Sequence, residues 1–508
     1  MAIYKLTAVM HGQTIDMSDD LLEVFWRFGE QQPNQAGTLL LPMDGLVQLR
    51  NQHSIYDGYN PGMKDGKLID PTPQVEYSLY RDGNLILRAK AVDGIVNKID
   101  ASGKKTVVIT LAGAINSSTL WGAGLRLALT GTPLVGEATE KIFDEMGIPK
   151  DRQVVDQGHT KIRSWRLNPR TRGSRKEVKN AKDVLKPLAR AEGGRIYDDA
   201  LGNVYFEDRD HRSVFDINDR RYGFKVINSN INSIVGHPTN ANTRPLHELI
   251  KNTAVSETKK YASNGEHRVG IVDVDGNDVG YPLQLDIPAD TREVIYTYYV
   301  KLDSRTPHIS YMQSWAFPER FTPIDSHMFI RGGFDSIEII ISNPEEPGYT
   351  LTIPELRGES FSNTGNNRDI AIRNELSITK FGEKPVIIEA DLIENFDQIN
   401  DYVNNFINRH DGISHNSINV SPLRSISVTL DLTSHTNADF VDTQISHLLE
   451  VRLPQLGIER ENFWVESVEH KITEKGQHTM KLGLSDARWT QTWNTDSMIF
   501  GQNTIVGY

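Results

Sequence analysis

The chain has 508 residues, with 67 acidic and 55 basic side chains for a net charge of −12, and it contains no cysteine. A chain of this length is too long for one hydrophobic core and predicts about three or four domains. The acidic balance argues against a polyanion as the main partner. The lack of cysteine excludes disulfides, thiolate metal sites and cysteine nucleophiles, and it fits assembly in a reducing cytoplasm. No apolar run approaches the roughly 20 residues that span a bilayer, and the first residues lack a Sec-type signal pattern.

Residues 16–113 are dominated by alternating apolar and polar positions that are interrupted by turn residues. The turn Arg81-Asp82-Gly83 predicts a strand at 84–88, and a turn at 101–103 predicts another at 105–111. We interpret this region as a small antiparallel barrel.

Two helices are predicted in the next region. At 136–147 apolar residues fall at helical spacing, acidic residues lie in the first turn, and Gly147 ends the pattern. A second helix at 181–192 has Asn180 as its N-cap and contains Pro187, which predicts a kink or an offset start. The residues expected to face inward are Val184, Leu185, Leu188 and Ala189. The polar, basic loop at 171–182 is interpreted as a solvated linker.

Residues 190–212 join the end of that helix to a two-stranded hairpin. Gly193 and Gly194 are expected to supply the positive-φ positions that end the helix. The residues Leu201-Gly202-Asn203 are expected to form the tight turn of the hairpin. The segment is therefore a small α+β unit.

The second half of the chain begins with strands and then gives a clear helix. Strands are predicted at 293–300 and 337–341, with a turn at 275–277, and the run 271–361 is typical of an inserted β-sandwich. A helix is predicted at 394–410, followed by strands that end in a hairpin at 463–472 and 478–484. The apolar stripe of the helix consists of Phe396, Ile399, Tyr402, Val403, Phe406 and Ile407.

Four segments in the same order resemble the bacteriophage tail-hub family, also called baseplate-hub, minor-tail or tail-tip proteins. The segment 190–212 is similar to the inserted subdomain of that family, in which an "AEGG" helix end precedes a strand, a turn, a strand and a basic tail. The segment 374–410 is similar to its strand-then-helix passage. The end, 463–487 with Gly507-Tyr508, is similar to its last hairpin. The opening resembles its first barrel at Trp26-Arg27-Phe28-Gly29, 37–41, Asp44-Gly45, Tyr56-Asp57 and Pro61-Gly62.

The resemblance implies a mainly β, multidomain fold with an α+β insertion. Two small antiparallel barrels are expected, an N-terminal hub domain at 1–115 and a C-terminal hub domain at 421–508. The α+β subdomain is expected at 116–215, strands returning to the hub core at 216–256, the inserted β-sandwich at 257–365, and the strand-helix segment of the hub core at 366–420.

The resemblance also implies a structural role without catalysis. The family's hub proteins are trimers whose two barrels per chain form a pseudo-sixfold ring between tail tube and tip. The expected partners are two further copies of the chain, tail-tube and distal-tail proteins, the tape-measure protein and fibre or spike proteins, in a virion tail assembled in the host cytoplasm. Any enzyme or receptor binder is expected on another chain, and the ring is expected to let DNA pass without holding it.

Motifs that would carry metal or phosphate chemistry are incomplete in this sequence. The run 247–251 begins like a zinc motif, but Lys251 stands at the second ligand position. Residues 273–278 resemble the start of a calcium loop, but Gln284 replaces the bidentate Glu, so a hairpin turn is favoured over weak cation binding. Residues 102–106 lack the earlier glycine and the Gly-Lys-Ser/Thr ending of a phosphate loop. We therefore assign no catalytic, cofactor-binding or metal-binding residue.

A second group of charged residues lies at the end of the hairpin. Asp208, Arg209, Asp210, His211 and Arg212 could perform acid–base chemistry only if a cleft gathered them, and we interpret them as structural salt bridges. No specific nucleic-acid binding is expected.

An alternative function is a cell-envelope-binding adhesin or a glycan-active enzyme that uses the sandwich at 257–365. A glycosidase carboxylate pair need not be close in sequence, so this class remains open. The aromatic residues of the insert could form a sugar platform, although a sandwich core also requires aromatics. They are Tyr281, Tyr298, Tyr299, Trp315, Phe317 and Phe321.

Overall fold

A computed structural model describes most of the chain. The described residues are 2–29, 39–41, 43–51, 55–56, 62–69, 75–92, 96–99, 103–117, 119–121, 133–162, 178–209, 211–212, 225–229, 236–245, 250–268, 270–273, 277–289, 291–300, 327–332, 336–343, 348–353, 356–389, 393, 396–410, 424–433 and 435–487.

The first part of the chain consists mainly of strands and ends in two helices and a hairpin. Its elements are β1 (Tyr4–Met10), β2 (Gln13–Asp16), β3 (Leu21–Gly29), β4 (Leu39–Leu41), β5 (Asp44–Arg50), β6 (Gly62–Lys64), β7 (Lys67–Ile69), β8 (Glu76–Arg81), β9 (Asn84–Ala91), β10 (Val96–Ile99), β11 (Lys105–Ala112), α1 (Ala114–Ser117), β12 (Thr119–Trp121), α2 (Val135–Glu145), β13 (Gln153–Val155), β14 (Val178–Asn180), α3 (Ala181–Glu192), β15 (Arg195–Asp198) and β16 (Val204–Glu207).

The second part contains the longest strands and the longest described helix. Its elements are β17 (Lys225–Asn228), β18 (Pro238–Pro245), β19 (Thr253–Arg268), β20 (Ile271–Val272), β21 (Asp278–Val279), β22 (Leu283–Ile287), β23 (Thr291–Val300), β24 (His327–Gly332), β25 (Ser336–Asn343), β26 (Tyr349–Ile353), β27 (Arg357–Arg373), α4 (Glu375–Phe381), β28 (Pro385–Glu389), α5 (Phe396–His410), β29 (Arg424–Asp431), β30 (Leu448–Leu453), β31 (Ile458–Thr473) and β32 (His478–Asp486).

The main sheet combines strands from both ends of the chain. Its fourteen strands follow the order β18-β29-β32-β31-β3-β5-β11-β9-β8-β1-β2, with β10, β17 and β30 attached to the side. Strand β3 joins the two sets because it pairs with β5 along one edge and with β31 along the other. The mainly β, multidomain fold class predicted from the sequence is confirmed. Within the described strands the sheet does not close on itself, so the two expected barrels are replaced by one continuous curled sheet.

One hydrophobic core serves both sets of strands. Trp26 and Leu6 from the N-terminal strands lie in the same cluster as Val428 and Leu482 from the C-terminal strands, and each is at most 1% exposed. Burial of each such side chain contributes about 1.5–3 kcal/mol. The segments 1–115 and 421–508 therefore share their core.

The α+β subdomain is built around a four-stranded sheet in the order β13-β16-β15-β4. Strand β4 comes from the N-terminal region and pairs in parallel with β15. Helices α2, α3 and α5 pack together in a second hydrophobic core. Ile399, Tyr402, Val403, Phe406 and Ile407 of the predicted stripe are buried there. Helix α5 therefore packs with the subdomain, although the sequence grouped 366–420 with the hub core.

The predicted helix and hairpin around residue 190 are present in the structure. Helix α3 begins directly after Asn180 and contains Pro187, and β15 and β16 form the antiparallel hairpin. Gly193 has a φ of +66°, as expected for a helix end. The expectation that Gly194 also takes a positive φ is wrong. A Cβ on Gly194 would lie 2.3 Å from the carbonyl oxygen of Glu207, so close backbone approach is what requires glycine there.

The insert is carried by a long two-stranded ribbon. Strands β19 and β27 pair in antiparallel fashion from Thr253 opposite Arg373 to Arg268 opposite Arg357. Strand β28 pairs with the ribbon only as far as Glu257, so the ribbon continues for roughly 35 Å beyond that point at about 3.3 Å per residue. At its end the sheets β21-β20-β23-β25-β24 and β22-β26 share a third hydrophobic core, as in a sandwich.

Several sequence-based interpretations fall on residues outside the described ranges. They are most of the basic loop 171–182, residues 247–249 of the zinc-like run, Asp210, Asp275, the aromatic residues Trp315, Phe317 and Phe321, and the closing residues 507–508.

Candidate functional site: a buried polar junction

The segment 190–212 lies where the α+β subdomain meets the main sheet. Hairpin β15–β16 places Asp198 and Glu207 at this contact, and both side chains are almost fully buried. Buried charges in proteins require partners. We call this contact between the subdomain and the main sheet the junction, and we define it by the residues that bond to these carboxylates.

Glu207 connects the subdomain to the C-terminal region. Its carboxylate accepts hydrogen bonds from the hydroxyl of Tyr197 at 2.6 Å and from the hydroxyl of Ser446 at 2.5 Å. The Nε2 atom of His211 lies 3.5 Å from the same carboxylate, and its Nδ1 atom lies 2.7 Å from Asp156. Burial lowers the pKa of His211, but the Asp156 hydrogen bond and the negative charges outweigh burial, so the net pKa is raised.

Glu466 is the anion of the junction on the sheet side. Although only 4% exposed, it lies 2.6 Å from Nη1 of Arg212 and 3.2 Å from Nη2 of Arg195. Arg212 also donates from Nε and Nη2 to the hydroxyl of Ser446 at 3.0 and 2.9 Å. Two cations from the subdomain therefore face one carboxylate of β31.

Asp198 fastens the hairpin to the N-terminal region. Its two carboxylate oxygens accept hydrogen bonds from the backbone N–H groups of Met43 at 2.5 Å and Ile115 at 2.9 Å. Burial raises the pKa of Asp198 to about 7, while the two N–H groups act in the opposite direction. A Cβ on Gly113 would lie 2.2 Å from the carboxylate, so the approach depends on glycine.

Glu192, at the end of α3, holds the loop that follows β13. Its carboxylate accepts the backbone N–H groups of His159 at 3.1 Å and Thr160 at 2.9 Å, and Arg209 lies 3.7 Å away. Burial raises the pKa of Glu192, with Arg209 acting in the opposite direction.

The predicted salt bridges after the hairpin are present at the described positions. Arg209, His211 and Arg212 pair with Glu192, Asp156 and Glu466, and Asp208 lies 3.5 Å from Nε2 of His159. These contacts hold backbone segments together. In the calcium-like run, Asp273 accepts hydrogen bonds from the backbone and side chain of Asn277 at 2.8 and 3.1 Å, as in a hairpin turn.

Sequence reasoning found one side of the junction and missed the other. Ser446 and Glu466 were not singled out, although Glu466 directly follows the apolar run Phe463-Trp464-Val465. A carboxylate in a buried strand signals a buried partner, and that signal identifies Glu466 but not the arginines that meet it.

Two further observations describe the part of the chain that the structure covers. No described group of three or more His, Asp or Glu side chains is arranged to hold a metal ion. No described helix has the length and apolar character needed to cross a membrane.

No protein-family model matches this sequence, and a search of the curated proteins finds no match. Among solved structures, the chain is similar to the 43 kDa tail protein of prophage MuSo2 from Shewanella oneidensis, with 9% identity, 96% of this chain and 99% of that chain covered, and a TM-score of 0.46. It is similar to a tail protein from Neisseria meningitidis MC58, with 9% identity, coverage of 96% and 98%, and a TM-score of 0.46. It is also similar to an Escherichia coli component of the type VI secretion system, with 8% identity, coverage of 92% and 73%, and a TM-score of 0.32.

Proposed function

We propose that this chain is a structural component of the hub or tip ring of a phage or phage-like tail. In this role it joins the tail tube to the tip or fibre complex and leaves a passage for DNA. The observation that carries the proposal is the junction. The segment 190–212, which resembles the tail-hub subdomain, supplies Glu207 and Arg212, which bond to Ser446 and Glu466 and so fasten the subdomain to the C-terminal region.

The main sheet supports a mechanical role. Strand β3 is hydrogen-bonded on both edges, so N-terminal and C-terminal strands are joined through the backbone within one sheet. Separating them requires breaking a continuous row of hydrogen bonds and opening a shared core. This construction suits a part that keeps its shape while neighbouring proteins move.

The finer assignments of the proposal come from the tail-hub resemblance. The chain assembles as a homotrimer, contacts tube, distal-tail and tape-measure proteins on one side and fibre or spike proteins on the other, and has no catalytic activity. With a net charge of −12 per chain, the inner wall of the ring is neutral to acidic, because each basic contact to phosphate would slow DNA transit.

Imaging of particles tests this proposal directly. An epitope inserted in the exposed β6–β7 turn at Gly66, where a Cβ would meet nothing within 4 Å, should label the tail tip. Light scattering of the purified chain with its neighbouring tube protein should give a trimer. A chain that stays monomeric in both conditions and is missing from purified particles would contradict the proposal.

The ribbon favours a second candidate function, an envelope-binding role for the insert. Strands β19 and β27 carry a separate hydrophobic core away from the subdomain, as expected for a module that reaches an external partner. Glycan arrays and peptidoglycan zymography with the full chain test this candidate. Clearing of peptidoglycan that disappears when one Asp or Glu is changed to its amide would favour the enzyme alternative over the structural proposal.

A further inference from the structure

Strands near opposite ends of the main sheet meet through side chains rather than through strand pairing. In the sheet order, β1 and β32 are separated by β8, β9, β11, β5, β3 and β31. The hydroxyl of Tyr4 on β1 nevertheless lies 3.0 Å from Nδ1 of His478 on β32. Arg81 on β8 donates from Nη2 to the carbonyl oxygen of Leu432, just after β29, at 2.7 Å. We call this contact line the seam.

The seam contains a continuous chain of hydrogen-bonded rings. The Nε2 atom of His478 lies 3.0 Å from Nδ1 of His470. The ring of His470 stacks on Trp26 with centroids 4.5 Å apart and planes inclined by 11°. A hydrogen bond contains one proton. One of the two facing nitrogens, Nδ1 of His470 or Nε2 of His478, must therefore donate and the other must accept.

The charged groups around the seam favour neutral histidines. Arg81 is the nearby cation, and in the described part of the chain its Nη1 atom is buried without a hydrogen-bond partner. The acids that act on the seam, Asp82 and Asp431, act on Tyr4, and Asp82 also lies 3.9 Å from Nε of Arg81. Burial is the main cause that lowers the pKa of His478 to about 3, and the positive charge of Arg81 is the second cause. Burial together with His478 and Arg81 lowers the pKa of His470 well below 6.5.

Uptake of a proton would disrupt the seam at a defined atom. A protonated histidine has two N–H donors and no acceptor, so the His470–His478 bond would join two donors if the acceptor ring were protonated. The new charge would also be buried close to Arg81, a second cation, without a carboxylate partner among the seam contacts.

We propose that the chain His470–His478–Tyr4 is an acid-sensitive latch that closes the curled sheet at neutral pH and releases β1 and β8 from the β29–β32 side when the histidines are protonated. The latch stands independently of the proposed tail-hub function. Its stabilising effect is complete above the ordinary histidine pKa of 6.5 and is lost as the pH falls below that value, since the open state takes up protons first. Each histidine raises the opening equilibrium constant by up to about tenfold per pH unit.

A spin-label distance measurement tests the latch in the full chain. Ile3 is 74% exposed and Thr479 is exposed, and they flank Tyr4 and His478. Because the chain has no cysteine, Ile3→Cys and Thr479→Cys place two labels without competing sites. We expect one short, narrow distance at pH 7.5 and a growing longer distance between pH 6 and 4.5, while circular dichroism still reports intact strands.

Substitutions of the seam histidines test whether the change of label distance with pH originates in the seam. His470→Phe keeps a ring that can stack on Trp26 but cannot take up a proton, and together with His478→Gln it should abolish the pH-dependent distance change. His447→Gln is the matched control, because His447 is partly buried, burial likewise lowers its pKa to about 4, and it lies outside the seam. This control should open as the unmodified chain does.

Three results would overturn the latch. The first is a label distance that stays unchanged down to pH 4.5. The second is loss of strand signal at the same pH as the distance change, which would mean global unfolding. The third is an unchanged pH response in the double variant. If the double variant does not fold, the label distances measured against pH in the chain that keeps both histidines test the latch on their own.

Discussion

The junction and the seam both bury polar groups against the same sheet, but they stabilise them in opposite ways. In the junction, oppositely charged groups are paired, as with Glu466 between Arg195 and Arg212. In the seam, burial and Arg81 keep His470 and His478 neutral, and the rings bond to each other. An ion pair loses its stabilising effect when one partner is removed, whereas a chain of neutral hydrogen-bonded rings loses it when one ring takes up a proton. The difference assigns mechanical strength to the junction and pH sensitivity to the seam.

The largest expected effect on stability comes from placing a charge in an apolar core that offers it neither an ion-pair partner nor a hydrogen-bonded ring. Tyr402 is 4% exposed in the apolar core of the subdomain, and its ring lies against Gly193. Tyr402→Asp buries a carboxylate in an apolar core and removes an aromatic ring, so we expect loss of folded protein. Asn400→Asp, on an exposed position of the same helix, is the matched control and should change stability by less than about 0.5 kcal/mol. Soluble yield and thermal unfolding measure both, and equal behaviour of the two variants would contradict the core assignment.

The next effect breaks the junction itself. Glu466→Ala leaves the partly buried Arg195 and Arg212 without their buried carboxylate, and removal of one partner of a buried pair costs about 3–5 kcal/mol. The control removes an exposed ion pair: Asp44 and Arg27 have side chains 44% and 58% exposed, so Asp44→Asn should cost less than about 1 kcal/mol. Urea unfolding gives both values. Equal costs would show that the junction is no more than a surface contact.

The elements of the fold were largely predictable from local patterns, and their assembly was not. Asp82 and Gly83 take φ values of +49° and +84°, the turn geometry that an Asp-Gly pair predicts. The periodicity of α5 likewise identified its buried face. Nothing local indicates that β3 pairs with β31, or that Leu39–Leu41 leaves the first strands to join β15. Such pairings depend on which strand edge is free after the other elements have packed, and side-chain periodicity carries no information on partners.

A smaller effect, on pH dependence, sharpens the comparison because the two regions respond with opposite signs. Burial raises the pKa of Asp198 to about 7, so its contribution is complete below the ordinary value of 3.8 and is lost as the pH rises through 7. The histidines of the seam lose their contribution as the pH falls below 6.5. The two pH windows overlap below 6.5, so the direction of the change in slope distinguishes the regions. In urea unfolding from pH 4.5 to 8.5, Asp198→Asn should make the free energy of unfolding rise more steeply with pH below about 7, and His470→Phe should make it rise less steeply below 6.5. The same direction of change in both variants would contradict the separation of the two regions.

The smallest expected effect on the junction and the seam comes from removing the insert. Arg268 lies opposite Arg357 at the far end of the ribbon, so deletion of 269–356 with a short turn in their place closes the ribbon at a paired position. The insert has its own hydrophobic core, and the described partners of Glu466 and His470, which include Arg195, Arg212, His478 and Trp26, all lie outside it. Glu466→Ala should therefore cost the same in the shortened and the full chain, within about 0.5 kcal/mol, because distant sites contribute additively. The matched control deletes 267–358 in the same way, since Glu266 pairs with Glu359, and it should give the same result. A cost of Glu466→Ala that changes in both shortened chains would show that the insert stabilises the junction from a distance.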